Sequence, residues 1–213
     1  HHPLQAPDAA RTLRFPVVVK PNVGGSGAGI RRFDEPQALS EAASDGGLDL
    51  GVDGTALVQE FIPARGGRIT RVEVLDDRVL YAISVRVSQG DFNLCPADIC
   101  EEEAEGLNGG AEVAGACPAD DADGHEDRVA ARDVPSEVAE AVCRIIRAGG
   151  MEIGGVEYLE DERDGRRYFY DVNALSNFVA DAPRIVGFDP FVDLVDWLRT
   201  RWERAVTMVD HDS

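Results

Sequence analysis

Short β-branched runs divided by glycine and acidic turns dominate the chain, and helical spacing is confined to a few segments. Phe15 to Lys20 (FPVVVK) predicts a strand. The glycine-rich stretch Pro21 to Gly29 (PNVGGSGAG) predicts a loop leading to a second strand at Ile30 to Phe33. Pro36 to Ala43 predicts a short helix, with Asp34 near its start, and Ala56 to Ile62 another strand. Ile69 to Leu75 and Arg78 to Val87 predict a hairpin around Asp76-Asp77. Ser136 to Ala148 puts Val138, Val142, Ile145 and Ile146 on one helical face, and Gly149-Gly150 should end that helix. Gly155 to Glu160 and Arg167 to Asn173 predict a second hairpin over Arg163-Asp164-Gly165. Asp189-Pro190 should open a last helix whose apolar stripe is Phe191, Leu194, Val195, Leu198 and Trp202. Residues 6–13 read as the end of a helix or a linker. Hairpins with a few helices, rather than strand–helix alternation, predict an α+β fold.

Composition narrows the functional classes. The 213 residues carry a net charge of −19, which repels phosphate backbones and anionic lipid, so neither nucleic acid nor a membrane is expected as partner. No apolar run approaches the roughly 18 residues of a membrane span. The start, His1-His2-Pro3-Leu4, carries no secretory signal, so a cytoplasmic location is expected. It also lacks Met, so the chain is expected to be an excerpt, with residues 1–14 arriving from an upstream domain. Residues 98–127 hold eleven Asp and Glu and no Lys or Arg. A segment of about 98–130 is therefore expected to be a solvated, mobile insertion. Cys95 and Cys100 form a C-x4-C pair with His125 downstream, a spacing looser than zinc sites favour; free thiols are expected.

Three groups of residues carry candidate chemistry. Lys20 is the only lysine among 21 basic residues and abuts Gly24, Gly25, Ser26, Gly27 and Gly29. Glycines let backbone N–H groups turn toward an anion, and a lysine beside them suits a phosphate. The order is neither that of a Walker A loop nor that of a dinucleotide fingerprint, and an ordinary hairpin loop is the alternative. In the second hairpin, strand alternation places Asp171 and Asn173 on one face with Phe169, and folding about Asp164 brings Glu157 opposite Asp171. Two carboxylates and an amide oxygen suit Mg²⁺ beside nucleotide phosphates; a polar solvent-facing hairpin is the alternative. In the first hairpin, Arg71 and Arg86 stand among apolar residues and call for an anion, either a bound phosphate or carboxylate or a protein acid.

Taken in this order, VVVKPNVGGSGAGI, LVQEFI, the Arg71/Arg86 hairpin and GGVEYL…YFYDVN resemble the ATP-grasp superfamily, and within it the carboxylate–amine ligases of the ribosomal-protein glutamate ligase type. The resemblance spans residues 15–177. It implies two lobes of antiparallel sheet and helices with ATP between them: a small lobe of about 15–60 and a large lobe of about 61–207. It implies that Lys20 contacts α/β-phosphate oxygens and that Gly24, Gly25, Ser26 and Gly27 close over the β/γ-phosphates. Gln59, Glu60, Phe61 and Ile62 would form the adenine hinge. Arg86, and with it Arg71, would face the γ-phosphate, and Glu157, Asp171 and Asn173 would hold Mg²⁺ or Mn²⁺. The implied reaction is ATP-dependent C–N bond formation between a carboxylate and an amine or peptide; a non-catalytic ATP-binding module and an ATP-grasp kinase are the alternatives. Two departures stand out: the family's metal strand reads E-x-N where this chain has Asp171-Val172-Asn173, and its upstream substrate domain and first phosphate-contacting lysine are absent from this chain.

Overall fold

The computed structural model describes residues 2–25, 27–87, 128–174, 176 and 178–211. The acidic stretch, Cys95, Cys100, Cys117, His125 and Ser26 lie outside these residues. Among these residues eight strands form two antiparallel sheets, so the fold is α+β as the pattern predicts.

The smaller sheet has the order β2-β1-β3, built from β1 (Val17–Pro21), β2 (Arg31–Phe33) and β3 (Ala56–Glu60). Val17, Val18 and Val19 are all buried, which explains why β1 reads as an unbroken apolar run. Its core is closed by α2 (Pro36–Ser44) through Leu39, Ala42 and Ala43. The N-terminal turns, including α1 (Ala6–Ala9), pack on α2, and Ala6 and Ala10 join the same core. Residues 3–12 thus take the helical of the two expected forms. Asp34 does not cap α2; it pairs with Arg32 at 2.7 Å, and the cap position belongs to Glu35.

The larger sheet has the order β6-β5-β4-β7-β8. Its strands are β4 (Ala64–Leu75), β5 (Arg78–Arg86), β6 (Val129–Ala131), β7 (Ile153–Asp161) and β8 (Arg167–Asn173). Alternation divides the two faces. Val72, Val74, Val156 and Tyr158 pack against Val138, Val142 and Ile146 of α3 (Ser136–Ala148), the face its spacing predicts. The opposite face carries Ile69, Ile83 and Val85 with Tyr81, Phe178 and Val179 beneath the short helix α4 (Ala182–Val186).

The last helix, α5 (Pro190–His211), begins where predicted: the Asp189 carboxylate accepts from the Phe191 N–H at 2.9 Å. Its apolar stripe does not form a core. Leu194 is half-buried, but Phe191, Val195, Leu198 and Trp202 are 51–72% exposed. The helix is held instead by side contacts, with Asp193 paired to Arg78 at 3.0 Å, Arg201 to Glu152, and the Phe191 ring on Phe178. Spacing sets the helix; it does not say what covers its face. Among the described residues no helix is long and apolar enough to cross a membrane.

The β7–β8 turn has an acid-sensitive clasp. Asp161, 2% exposed, accepts from the Arg163 backbone and guanidinium at 2.6–3.1 Å. These bonds hold its carboxyl down to about 2. A depressed carboxyl contributes stability above its unfolded value near 3.8 and loses it as pH falls toward 2. Unfolding free energy should therefore drop across that window, and Asp161→Asn should flatten the drop in denaturant titrations at stepped pH. An unchanged slope would show that the clasp contributes nothing.

Candidate functional site

A cleft of about 1120 Å³ separates the two sheets and is lined from both. The small sheet and its loops supply Lys20, Gly24, Gly25, Gly27 and Gln59 to Ile62; the large sheet supplies Arg71, Glu157, Asp171 and Asn173. Of the residues singled out in the sequence, Arg86 does not line it and Ser26 lies outside the described residues.

The loop after β1 owes its path to its glycines. Gly27 and Gly29 have φ of +71° and +74°, and a Cβ at Gly29 would meet Asp49 Oδ2 at 2.5 Å. Gly25 has nothing within 4 Å of where its Cβ would stand, so this part of the loop faces open space. On the next wall, β3 pairs with β1 from Ala56 to Glu60. The Phe61 N–H donates to Pro16 O at 2.8 Å, and the Glu60 carboxylate takes the Arg14 backbone N–H and guanidinium at 3.0–3.1 Å. That pairing holds the Glu60 carboxyl below its ordinary value, the Arg14 backbone bond contributing most.

The opposite wall is the β7–β8 hairpin. Glu157 faces Asp171 and Gly155 faces Asn173 in the register, so the three candidate metal ligands come together. The register then shifts between Glu157 and Tyr158, leaving Tyr170 as an extra residue on β8. The bulge corrects the simple alternation. Phe169 falls opposite Tyr158, packing on its ring at 5.6 Å, and does not share the face of Asp171 and Asn173. Tyr170 turns in instead, and its hydroxyl donates to Glu157 Oε2 at 2.9 Å. Among the described residues no group of three His, Cys, Asp or Glu stands close enough to hold a metal ion.

Two cations anchor this acid set. Lys20 Nζ crosses the cleft to donate to Asp171 Oδ1 at 2.9 Å and to Tyr170 O at 3.1 Å. Asn173 Nδ2 donates to the other Asp171 oxygen at 3.2 Å, which leaves the Asn173 amide oxygen outside that contact. Below them, Arg71 is 3% exposed and pairs with Glu73 at 2.6 Å and with Glu157 at 3.4 Å. Burial pushes the Glu157 carboxyl up, opposed chiefly by Arg71. Burial, and then Glu157, raises the Tyr170 phenol well above its ordinary value, so it remains a donor.

The two arginines of the first hairpin separate. Arg71 pairs in register with Ile83 and Arg86 with Arg68, positions of opposite parity, so they point to opposite faces of the sheet. Arg86 is exposed at the end of β5. Sequence reasoning missed Glu73, Tyr170 and Ser176. Glu73 was within reach, since it stands two residues from Arg71 in an apolar strand. The bulge that turns Tyr170 inward left no local signal.

Two sheets enclosing a cleft, with a glycine loop on one wall and a carboxylate hairpin on the other, make this an ATP-grasp fold. The comparisons agree. Residues 5–98 match the RimK-like ATP-grasp domain. D-alanine–D-alanine ligase B of Xanthomonas campestris pv. campestris is 27% identical over 187 residues, covering 85% of this chain and 51% of the relative. Among solved structures, the ATP-grasp ligase PsnB with a phosphomimetic variant of its minimal precursor, Mg and ADP superposes with TM-score 0.57 at 21% identity. That match covers 91% of this chain and 50% of PsnB. The D-cycloserine synthetase DcsG gives 0.52 at 19% identity, covering 82% of this chain and 53% of DcsG. The chain thus spans about half the length of the relatives it matches.

Proposed function

We propose that this chain is the nucleotide-binding part of an ATP- and Mg²⁺-dependent ligase that joins a carboxylate to an amine. The observation that carries the reading is Lys20. One ammonium, placed by the strand that leads into the glycine loop, meets the carboxylate hairpin of the other sheet across the cleft. A polyphosphate entering there would lie between backbone N–H groups of the loop and the acid set. Lys20 would turn from Asp171 to the phosphate oxygens. The segment Gln59 to Ile62 would hold the base, and Glu157, Asp171 and the Asn173 amide oxygen supply the hard oxygen donors that suit Mg²⁺.

Mg²⁺, when bound, neutralises charge on the transferred phosphoryl group. The residues supply position and charge. A substrate carboxylate would attack the γ-phosphorus and expel ADP, giving an acyl-phosphate. An amine would then attack the acyl carbon, lose its proton and expel phosphate. Arg71 Nη2, buried and without a hydrogen-bond partner among the described residues, is the donor available to that chemistry from the cleft floor. No side-chain nucleophile is needed. The likeness to D-alanine–D-alanine ligase and to PsnB supports a small or peptide substrate.

Calorimetry with a non-hydrolysable ATP analogue tests the reading. Binding should strengthen when Mg²⁺ is added. Lys20→Ala should weaken it by about 1.5–3 kcal/mol, the range for a hydrogen bond to a charged group. Equal affinity in both proteins, with folding intact, would remove the site. Phosphate release on mixing with ATP and a panel of amino acids then separates ligation from binding alone.

A further inference from the structure

We infer that Glu73, which has no part in the proposed chemistry, is the positioning residue that holds the two sides of the ligand set in register. The inference rests on the reading of the cleft as a nucleotide and Mg²⁺ site. Glu73 is 1% exposed, on the same face of β4 as Arg71. A carboxylate buried so deeply needs partners. It has two. Its Oε1 accepts from Arg71 Nε at 2.6 Å, and its Oε2 accepts from Ser176 Oγ in a short contact. Ser176 lies three residues beyond Asn173, past the end of β8. One side chain therefore ties the cleft floor to the segment leaving the ligand strand.

The bond to Arg71 decides how the guanidinium lies. With Nε held by Glu73, the planar fork presents Nη1 to Glu157 at 3.4 Å. The group crosses β7 at Gly155. A Cβ there would stand 2.9 Å from Glu73 Oε1 and 3.1 Å from both Arg71 Nε and Nη2, so the arrangement requires glycine. Charge follows from geometry. Glu73 and Glu157 share one guanidinium, so Arg71 neutralises Glu157 only in part. Without the charge of Glu73, Arg71 would belong to Glu157 alone and compete with an arriving cation.

Two variants of the full chain test this. Glu73→Gln keeps the shape and removes the charge; Ser176→Ala cuts the second tether. Mg²⁺ is titrated into each protein with the ATP analogue saturating, and nucleotide affinity is measured without metal. Glu73→Gln should weaken Mg²⁺ binding by about tenfold, the lower end for residues that orient metal ligands, and leave metal-free nucleotide affinity unchanged. A merely structural role would move both or neither. In metal-free protein, amide hydrogen exchange just beyond Asn173 should quicken in both variants. Unchanged Mg²⁺ midpoints in both, with the wild type binding normally, overturn the inference; so does unchanged exchange. If Glu73→Gln does not fold, Ser176→Ala decides by the same readouts. A wild type without Mg²⁺-dependent binding would overturn the reading of the cleft, while the exchange measurement would still judge the tether.

Discussion

Arg71→Met should destabilise the protein by about 3–5 kcal/mol, the range for breaking a buried ion pair by removing one partner. Glu73 and Glu157, 1% and 5% exposed, would both lose the guanidinium they share. The sign of the pH dependence follows. Burial already raises the Glu157 carboxyl, and Arg71 is the main influence pulling it down. Removing Arg71 raises it further. A carboxyl raised in the folded state costs stability as pH climbs from its unfolded value toward its folded one. The loss should therefore be largest at neutral and alkaline pH and shrink near pH 4. Denaturant titrations at several pH values check this; an equal loss throughout would assign the effect to packing. Adding Glu73→Gln and Glu157→Gln to Arg71→Met should recover much of the stability, because the unpaired charges disappear together.

The second large effect concerns Asp171. Asp171→Asn should leave the fold intact, since β8 is an edge strand and the side chain is 39% exposed. It should weaken Mg²⁺-dependent binding of the ATP analogue tenfold or more, because one of the two carboxylates in the proposed ligand set is lost. Asp171→Glu distinguishes two accounts of the departure from the E-x-N strand. The bulge at Tyr170 immediately precedes Asp171. If the backbone is set for the shorter acid, the extra methylene should crowd the site and weaken metal binding; if the shorter acid is drift, Glu should bind as well or better. Silence of both variants in a metal titration would leave an ordinary hairpin.

Most of the fold was legible because the elements state themselves locally. Three consecutive valines marked β1, the spacing of Val138, Val142 and Ile146 marked α3, and Asp164-Gly165 marked the turn that sets Glu157 against Asp171. What stayed hidden depended on residues distant in the chain. The partners of Arg71 come from its own strand and from Glu157, 86 residues away. Forty acids offered too many candidates for charge alone to choose among them. The bulge at Tyr170 is decided by how β8 meets β7, so alternation misplaced Phe169. Arg86 was grouped with Arg71 because both lie on one hairpin, but only the register gives their parity. The open stripe of α5 shows the same limit, since periodicity records a face and not its neighbour.

Lys20 makes the cleft addressable from outside. It is the only lysine of the chain, and the other basic side chains are arginines and histidines. Acylating reagents that modify lysine amines therefore have one side-chain target, and it sits 11% exposed between the two sheets. Labelling at this position carries no background from surface lysines. The ammonium that meets Asp171 is the group the proposed function assigns to phosphate, so its rate of acylation, followed on the peptide that carries Lys20 and so apart from the α-amine, reads the state of the cleft in solution without any engineered probe.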